Sequence, residues 1–265
     1  MSGFTGKVAL ITGGSSGIGR ATALAFARAG AKVGIAARGI ERGTAVVREI
    51  ESAGGTARFI RTDVADANQV QGLVNGVVEA FGRLDCAFNN AAALEESFAF
   101  TADFTEEQFD RSIALNLKSV WLCMRQEIRQ MVAQDPPGGV IVNTSSVNGL
   151  GGVAQAALYA AAKAGILGLT KSAALEYSRQ GIRVNALVAG GFRTPMLEGV
   201  IERVSGGDPA RKEAFEKRFS DLTAIGRIGR PEEAAEAALW LCSDAASYMT
   251  GHSMIVDGGL TASMR

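Results

Sequence analysis

The chain has 265 residues, of which 47% are hydrophobic, and its 27 basic residues balance 27 acidic residues. This length and apolar content suit one α/β domain, and the zero net charge creates no field that attracts nucleic acid or an anionic membrane. Cys86, Cys123 and Cys242 show no metal-ligand or disulfide spacing, and no run approaches the ~18 apolar residues of a membrane span. We therefore expect no bound metal, a small neutral or modestly charged ligand, and a soluble cytoplasmic protein.

The first motif is a glycine-rich turn between a strand and a helix. Residues 8–11 form a short apolar run typical of a buried strand, Thr12–Gly19 follows, and residues 20–29 have a helical pattern. Glycines let the backbone approach a pyrophosphate, and the start of a helix offers free N–H groups and a positive dipole end. The spacing differs from the common Gly-x-Gly-x-x-Gly fingerprint, but its position after the first strand indicates a phosphate site.

The end of the second strand predicts which dinucleotide binds. Residues 32–37 form this strand, and its end is where a dinucleotide fold meets the adenosine ribose. Here Arg38 follows the strand and Arg42 lies one helical turn beyond, and guanidinium groups suit a phosphate. The sequence therefore favours NADP, with NAD possible. The alternative is that Arg38 caps a strand in solvent, and the turn itself supplies no Lys or Arg before Gly17.

Two further strands end in polar residues that a ligand could meet. The third strand, residues 57–61, is followed by Asp63, which could cap a helix or meet a base. The fourth strand, residues 86–88, stops at Asn89 and Asn90, and amides at the carboxyl end of a parallel strand face the ligand crevice.

Residues 105–133 predict one long helix that contains an amide among apolar residues. Asn116 stands amid Ile113, Leu115, Leu117 and Trp121. An amide on an apolar helix face needs hydrogen-bond partners. Asn116 is therefore a candidate for a specific contact.

A hydroxyl, a phenol and an ammonium occur together after the fifth strand, residues 140–143. Ala-rich residues 156–180 predict a helix, and the four-residue separation places Tyr159 and Lys163 on one face. The ammonium should lower the pKa of the phenol from ~10 towards neutrality, so that Tyr159 can act as acid or base. Ser146 lies in a glycine-rich loop and can hold a substrate oxygen beside the phenol. The alternative is a packed ring beside a solvated amine.

The remaining sequence completes an alternation of strands and helices without repeats or a linker. Residues 191–225 mix apolar anchors with charges and a Ser-Gly-Gly-Asp-Pro break, which is typical of a mobile lid. The other predicted elements are helices at 40–53 and 69–81, a sixth strand at 183–188, a helix from Pro231 and a last strand at 254–256. This order predicts a parallel sheet covered on both faces, in a single domain of residues 1–265.

Together these residues resemble the short-chain dehydrogenase/reductase family across nearly the whole chain. Thr12–Gly19 matches the family's cofactor turn, Asn89–Ala91 its fourth-strand motif, and Ser146, Tyr159 and Lys163 its catalytic set. The resemblance implies an α/β doubly wound Rossmann fold with a mostly parallel seven-stranded sheet. It also implies an oxidoreductase that moves a hydride between NADP(H) and a carbonyl or secondary alcohol, and a homotetramer with residues 105–133, 157–180 and the last strand at its interfaces.

The resemblance assigns a role to each matched residue. Tyr159 is the general acid/base, Ser146 orients the substrate oxygen, Lys163 perturbs Tyr159 and binds the nicotinamide ribose, and Asn116 positions a water in a proton relay. The implied cofactor contacts are Gly13, Ser15, Ser16, Gly17, Ile18, Gly19, Arg38, Asp63, Val64, Asn90, Ala91, Ala92, Tyr159, Lys163, Gly190, Phe192 and Thr194.

The chain departs from the family pattern at two positions beside the expected cofactor. Ala92 and Ala189 stand where the family has Gly and Pro. A methyl group at a glycine position costs on the order of 1 kcal/mol if φ must be positive, so we expect altered affinity rather than lost chemistry.

Two other functions stay open at this point. A non-catalytic dinucleotide sensor could have the same fold. A reductase of 3-oxoacyl groups on a carrier protein would need a basic docking surface near the lid, where basic and acidic residues interleave.

Overall fold

A parallel seven-stranded sheet forms the centre of the structure, a computed structural model that describes residues 3–94 and 98–262. Its strand order is β3-β2-β1-β4-β5-β6-β7, so the order reverses between β1 and β4 and opens a crevice at their carboxyl ends. The strands are β1 (Val8–Thr12), β2 (Lys32–Ala37), β3 (Thr56–Arg61), β4 (Cys86–Asn89), β5 (Gly139–Ser146), β6 (Ile182–Ala189) and β7 (Ser253–Val256).

Helices cover both faces of this sheet and create two large apolar cores. One core includes Phe26 and Leu239, and the other includes Val77 and Ile166. The helices are α1 (Gly17–Arg28), α2 (Ile40–Ser52), α3 (Ala67–Phe81), α4 (Glu106–Ile113), α5 (Ser119–Ala133), α6 (Ala157–Tyr177), α7 (Pro195–Ser205), α8 (Pro209–Asp221) and α9 (Pro231–Cys242). The predicted doubly wound class is confirmed, and no helix in the described part of the chain is long and apolar enough to cross a membrane.

The long helix predicted over residues 105–133 runs without a break from Glu106 to Ala133. The prediction missed a π-helical segment, Ala114–Lys118, which lies between α4 and α5. Asn116 lies in this segment, where its side-chain Oδ1 accepts a hydrogen bond from the backbone N–H of Ala93 at 3.0 Å. A π-helical turn that makes such a tertiary contact does not change the spacing of apolar residues enough to be predicted from the sequence.

The segment predicted as a loosely patterned lid folds into α7 and α8. Thr194 caps α7 by accepting a hydrogen bond from Leu197 N, and Asp208 caps α8, each followed by proline in the first turn. Arg193 binds the carboxylates of Glu198 and Glu216 at 2.9 and 3.0 Å, which joins the two helices. Movement of this lid stays a prediction.

β5 extends further than the sequence indicated. It runs to Ser146, which pairs with Ala189 of β6, so Ser146 is the last residue of a strand and not part of a loop. The polar residues Thr144 and Ser145 continue the strand because backbone pairing, not side-chain apolarity, holds this end.

Candidate active site

A cavity of about 1070 Å³ opens along the carboxyl edge of the sheet, above the glycine turn. Most of the residues predicted for the site line it, and they come from the ends of six strands, from α6 and from the lid. The wall contains Gly13, Ser15, Ser16, Gly17, Ile18, Arg38, Asp63, Val64, Asn90, Ala91, Ala92, Ser146, Tyr159, Lys163, Gly190, Phe192 and Thr194. Gly19 and Asn116 do not line it.

The glycine turn leaves the start of α1 free to meet an anion. Gly13 and Gly17 have φ of 66° and 51°, in the region that favours glycine. Ser16 precedes the helix, and its hydroxyl makes no capping hydrogen bond within the described residues. Gly17 and Ile18, whose N–H groups have no acceptor in the first turn of an α-helix, line this end of the cavity. Gly19 has a packing role, because a Cβ there would collide with the carbonyl oxygen of Gly13.

The far end of the cavity carries positive charge. Arg38 and Arg42 line it, both exposed, while Arg20 is bound to Glu49 at 2.5 Å and takes no part. Asp63 also lines the wall, and its Oδ1 accepts from Ala65 N at 3.0 Å. Of the two roles considered for Asp63, helix capping is excluded, because Asp66 caps α3.

Tyr159 and Lys163 lie together in the cavity wall on α6, as their spacing indicated. The Nζ of Lys163 is 5.5 Å from the centroid of the Tyr159 ring and donates to the carbonyl of Thr144 at 2.9 Å. The side chains are nearly buried, with 7% and 1% exposure for Tyr159 and Lys163. Ser146 reaches the same place from the end of β5, and its Oγ accepts from Asn148 N at 3.2 Å.

The expected lowering of the phenol pKa was wrong. Burial raises the pKa of Tyr159 to about 12, and only the Ser146 hydroxyl opposes the rise. Burial also lowers the pKa of Lys163 to about 8. The cost of removing each charged form from water therefore exceeds the attraction between phenolate and ammonium. At neutral pH Tyr159 holds its proton and is ready to act as an acid.

Asn116 lies behind the wall. Its side chain is 1% exposed, and its Nδ2 has no hydrogen-bond partner among the described residues. Thr144, whose hydroxyl is likewise buried without a partner in that part of the chain, lines the cavity beside Lys163. Two unsatisfied polar groups next to the cavity fit a site that is completed by water or by a bound ligand.

The lid side of the cavity is apolar. The side chains there are Leu94, Phe98, Leu150, Val153, Met196, Leu197, Val200, Phe219, Leu222 and Leu260. Among the described lining residues, the charged ones are Arg38, Arg42 and Asp63 at the far end and Lys163 beside Tyr159. Phe219 was not predicted from the sequence. Its ring lies so close to Gly191 that a Cβ there would collide with it, and this contact between distant positions leaves no signal in the sequence.

The two departures from the family pattern cause no backbone strain. Gln155, with φ of 64°, is the one non-glycine residue of the described chain that has a positive φ, so Ala92 adopts an ordinary conformation. The condition for a penalty at Ala92 is therefore not met. Ala189 lies within β6, opposite Val256 of β7.

Comparison with known proteins places the chain among enzymes of one family. A family model described as "Enoyl-(Acyl carrier protein) reductase" matches residues 13–261. The 2,5-dichloro-2,5-cyclohexadiene-1,4-diol dehydrogenase of Sphingobium indicum is 42% identical over 262 residues, which cover 99% of this chain and 100% of the relative.

Solved structures agree over the same length. The crystal structure of levodione reductase superposes with a TM-score of 0.92 at 37% identity, covering 98% of this chain and 99% of the other. A variant of actinorhodin polyketide ketoreductase, solved with NADPH, gives 0.90 at 34% identity, with coverage of 97% and 98%. The chain belongs to the short-chain dehydrogenase/reductase family and is an oxidoreductase that acts on CH–OH groups.

Proposed function

We propose that this enzyme uses NADP(H) to interconvert a secondary alcohol and a ketone on an uncharged, apolar ring, with Tyr159 as the general acid/base. One observation carries the proposal. Tyr159, Lys163 and Ser146 meet in the wall of a cavity that has an anion-binding turn at one end and an apolar chamber at the other.

The residues present fit a phosphorylated dinucleotide. The free N–H groups at the start of α1, with Gly13 and Gly17, would hold the pyrophosphate. Arg38 and Arg42 would hold the 2′-phosphate, since neither has an ion-pair partner among the described residues. The similar ketoreductase with NADPH supports this choice, and NAD is the alternative that direct titration tests.

When bound, the dinucleotide supplies or accepts the hydride. Ser146 donates a hydrogen bond to the substrate oxygen and holds it beside the phenol. In reduction Tyr159 gives its proton to that oxygen. Its high pKa ensures that the phenol still carries this proton at neutral pH. Lys163 in its ammonium form favours the phenolate that results. Asn116, whose Nδ2 has no partner in the described part of the chain, positions a water that returns the proton.

The apolar chamber supports a ring-shaped, uncharged substrate. The relative from Sphingobium indicum is named for a cyclohexadiene diol, and the chamber wall here offers leucine, valine, methionine and phenylalanine side chains. A substrate on a carrier protein is less favoured, because Arg193 and Lys212 on the lid are neutralised by Glu198 and Glu216.

A homotetramer remains part of the proposal. Trp121 on α5 and Leu175 on α6 are 41% and 84% exposed, and Ile255 on the edge strand β7 is 46% exposed. A second copy of the chain would cover these side chains at the faces expected for assembly.

A panel assay that follows nicotinamide absorbance tests the function. Cyclic ketones and alcohols, straight-chain ketones and a 3-oxoacyl thioester are each offered with NADPH and with NADH. We expect turnover of the cyclic compounds, with a lower KM for NADPH. Preferred turnover of the thioester would support the carrier-protein reductase instead, and dinucleotide binding without any turnover would support a sensor.

A further inference from the structure

A cluster of buried polar side chains lies directly behind the catalytic edge, by which we mean the carboxyl ends of the strands that line the cavity. The cluster takes no part in the proposed chemistry. Asn89 on β4 and Asn143 on β5 are paired in register and so face the same side of the sheet. Glu127 of α5 and Thr170 of α6 pack against them, and all four residues are at most 1% exposed. The cluster joins two strands to two helices.

The hydrogen bonds of this cluster leave two acceptors without a donor. The Nδ2 of Asn89 donates to Glu127 Oε2 at 2.9 Å and to Asn143 Oδ1 at 3.1 Å, so both of its N–H groups are used. Asn143 Nδ2 donates to Thr170 Oγ1 at 3.0 Å. Within the described residues, Glu127 Oε1 and Asn89 Oδ1 have no partner.

One proton on Glu127 would supply the missing donor. A carboxylate only accepts hydrogen bonds, whereas a carboxylic acid also donates one. Asn89 already binds the other oxygen of the same carboxyl group, and its own Oδ1 is the acceptor that lacks a donor. An acid and a carboxamide can complete each other's hydrogen bonding in this way. An ionised Glu127 would instead be a buried charge without a cation to pair with it in this cluster, which is costly.

We propose that Glu127 is a neutral carboxylic acid paired with the carboxamide of Asn89, and that this pair positions the catalytic edge. The residue after Asn89 is Asn90, which lines the cavity and whose N–H donates to Thr12 Oγ1 at 3.0 Å. The residue after Asn143 is Thr144, whose carbonyl accepts from Lys163. The pair therefore fixes β4 one residue before Asn90, which is expected to contact the cofactor. It also fixes β5 one residue before Thr144, which holds Lys163.

The surroundings of Glu127 agree with a neutral acid. Burial raises its pKa to about 8, with the Asn89 hydrogen bond as the opposing effect. The other titratable group that faces it is Cys123 on α5, whose thiol pKa is raised by burial and by Glu127, so that it stays uncharged. From β4, β5 and α6 the facing side chains are Asn89, Asn143 and Thr170, which do not titrate.

Infrared spectroscopy of the full chain tests the protonation state directly. The spectrum of the wild type minus that of Glu127→Gln at pH 7 should contain the C=O stretch of a protonated carboxyl group. That band should give way to carboxylate bands as the pH rises through about 8. Glu176→Gln, an exposed site on α6, is the matched control and should remove carboxylate bands only. Carboxylate bands from Glu127 at pH 7 would overturn the proposal.

Enzyme kinetics and dinucleotide binding test the positioning role. The kinetic test rests on the proposed function, and the binding test does not require turnover. Glu127→Gln keeps a neutral donor and should retain dinucleotide affinity and kcat close to wild type. Glu127→Ala removes the pair and should lower kcat or affinity by about tenfold or more, since small displacements of catalytic groups are costly. Equal losses in both variants would refute the role. If no substrate is turned over, the infrared and dinucleotide-binding results still decide the inference.

Discussion

Replacing Lys163 with methionine should abolish turnover without destabilising the fold. Lys163 is 1% exposed, and burial lowers its pKa from 10.5 to about 8. At about 1.4 kcal/mol per pKa unit, keeping the charged form in the fold costs about 3 kcal/mol. Methionine has a similar length and no charge, so this cost disappears in the variant.

An opposing effect comes from the carbonyl of Thr144. It accepts from Lys163 Nζ at 2.9 Å and would lose that donor. An unsatisfied buried acceptor costs about 1–3 kcal/mol, so the desolvation gain is equal or larger. We expect the ligand-free Lys163→Met variant to be as stable as wild type or up to about 2 kcal/mol more stable at pH 7. Its turnover should be lost.

The difference between variant and wild type should depend on pH. The folded-state pKa of Lys163 lies below its unfolded value, so the penalty on the wild type is full below about pH 8 and disappears as the pH approaches 10.5. The advantage of the variant should shrink over the same range. Glu127 is present in both proteins, so its own titration cancels in the difference.

Urea unfolding at several pH values measures this difference. Lys171→Met, an exposed position on the same helix, is the control and should change stability by less than about 0.5 kcal/mol. A Lys163→Met variant that is destabilised by more than about 2 kcal/mol at pH 7 would show that the reasoning from desolvation is wrong.

Three further changes probe the cofactor end, the chamber and the assembly. Arg38→Ala should weaken NADPH binding by about tenfold or more in a fluorescence titration and leave NADH binding unchanged, because a charge-assisted contact to the 2′-phosphate is lost. The control Arg58→Ala, at an exposed position on β3, should change the binding of neither dinucleotide. Equal weakening of both dinucleotides by Arg38→Ala would count against phosphate recognition. Gly191→Ala should displace the Phe219 ring, lower the free energy of unfolding by about 1–3 kcal/mol in a thermal unfolding experiment and raise the KM for the substrate. Gly199→Ala, which adds a Cβ with nothing near it, should change neither stability nor KM. Trp121→Glu should reduce the assembly on sizing chromatography, and a wild-type monomer would refute the tetramer.

The architecture was predictable because the buried runs and the turn residues between them are local signals. β2 runs from Lys32 to Ala37 as expected, because polar residues and glycines lie on both sides of its apolar run. β5 was underestimated because Thr144, Ser145 and Ser146 are polar, and only pairing with β6 shows that they are strand residues. Local signals mark apolar strands better than polar strand ends.

Properties that depend on tertiary burial were not predictable. The spacing of Tyr159 and Lys163 gave their proximity, but the rise in the Tyr159 pKa follows from enclosure by elements distant in sequence. The role of Glu127 had a partial signal. It occupies the same face of α5 as Val120, Met124 and Met131, which the helical spacing alone could have shown.

Single-turnover kinetics of Tyr159→Phe is the most direct test of the proposed chemistry. The variant is loaded with NADPH, mixed with a cyclic ketone that the wild type reduces, and followed by nicotinamide absorbance. Tyr177→Phe at the end of α6, outside the cavity wall, is the matched control. We predict that Tyr159→Phe binds NADPH as wild type does but loses at least about a hundredfold in the hydride-transfer rate, while Tyr177→Phe keeps it. A near-native rate in Tyr159→Phe would contradict the assignment of Tyr159 as the proton carrier.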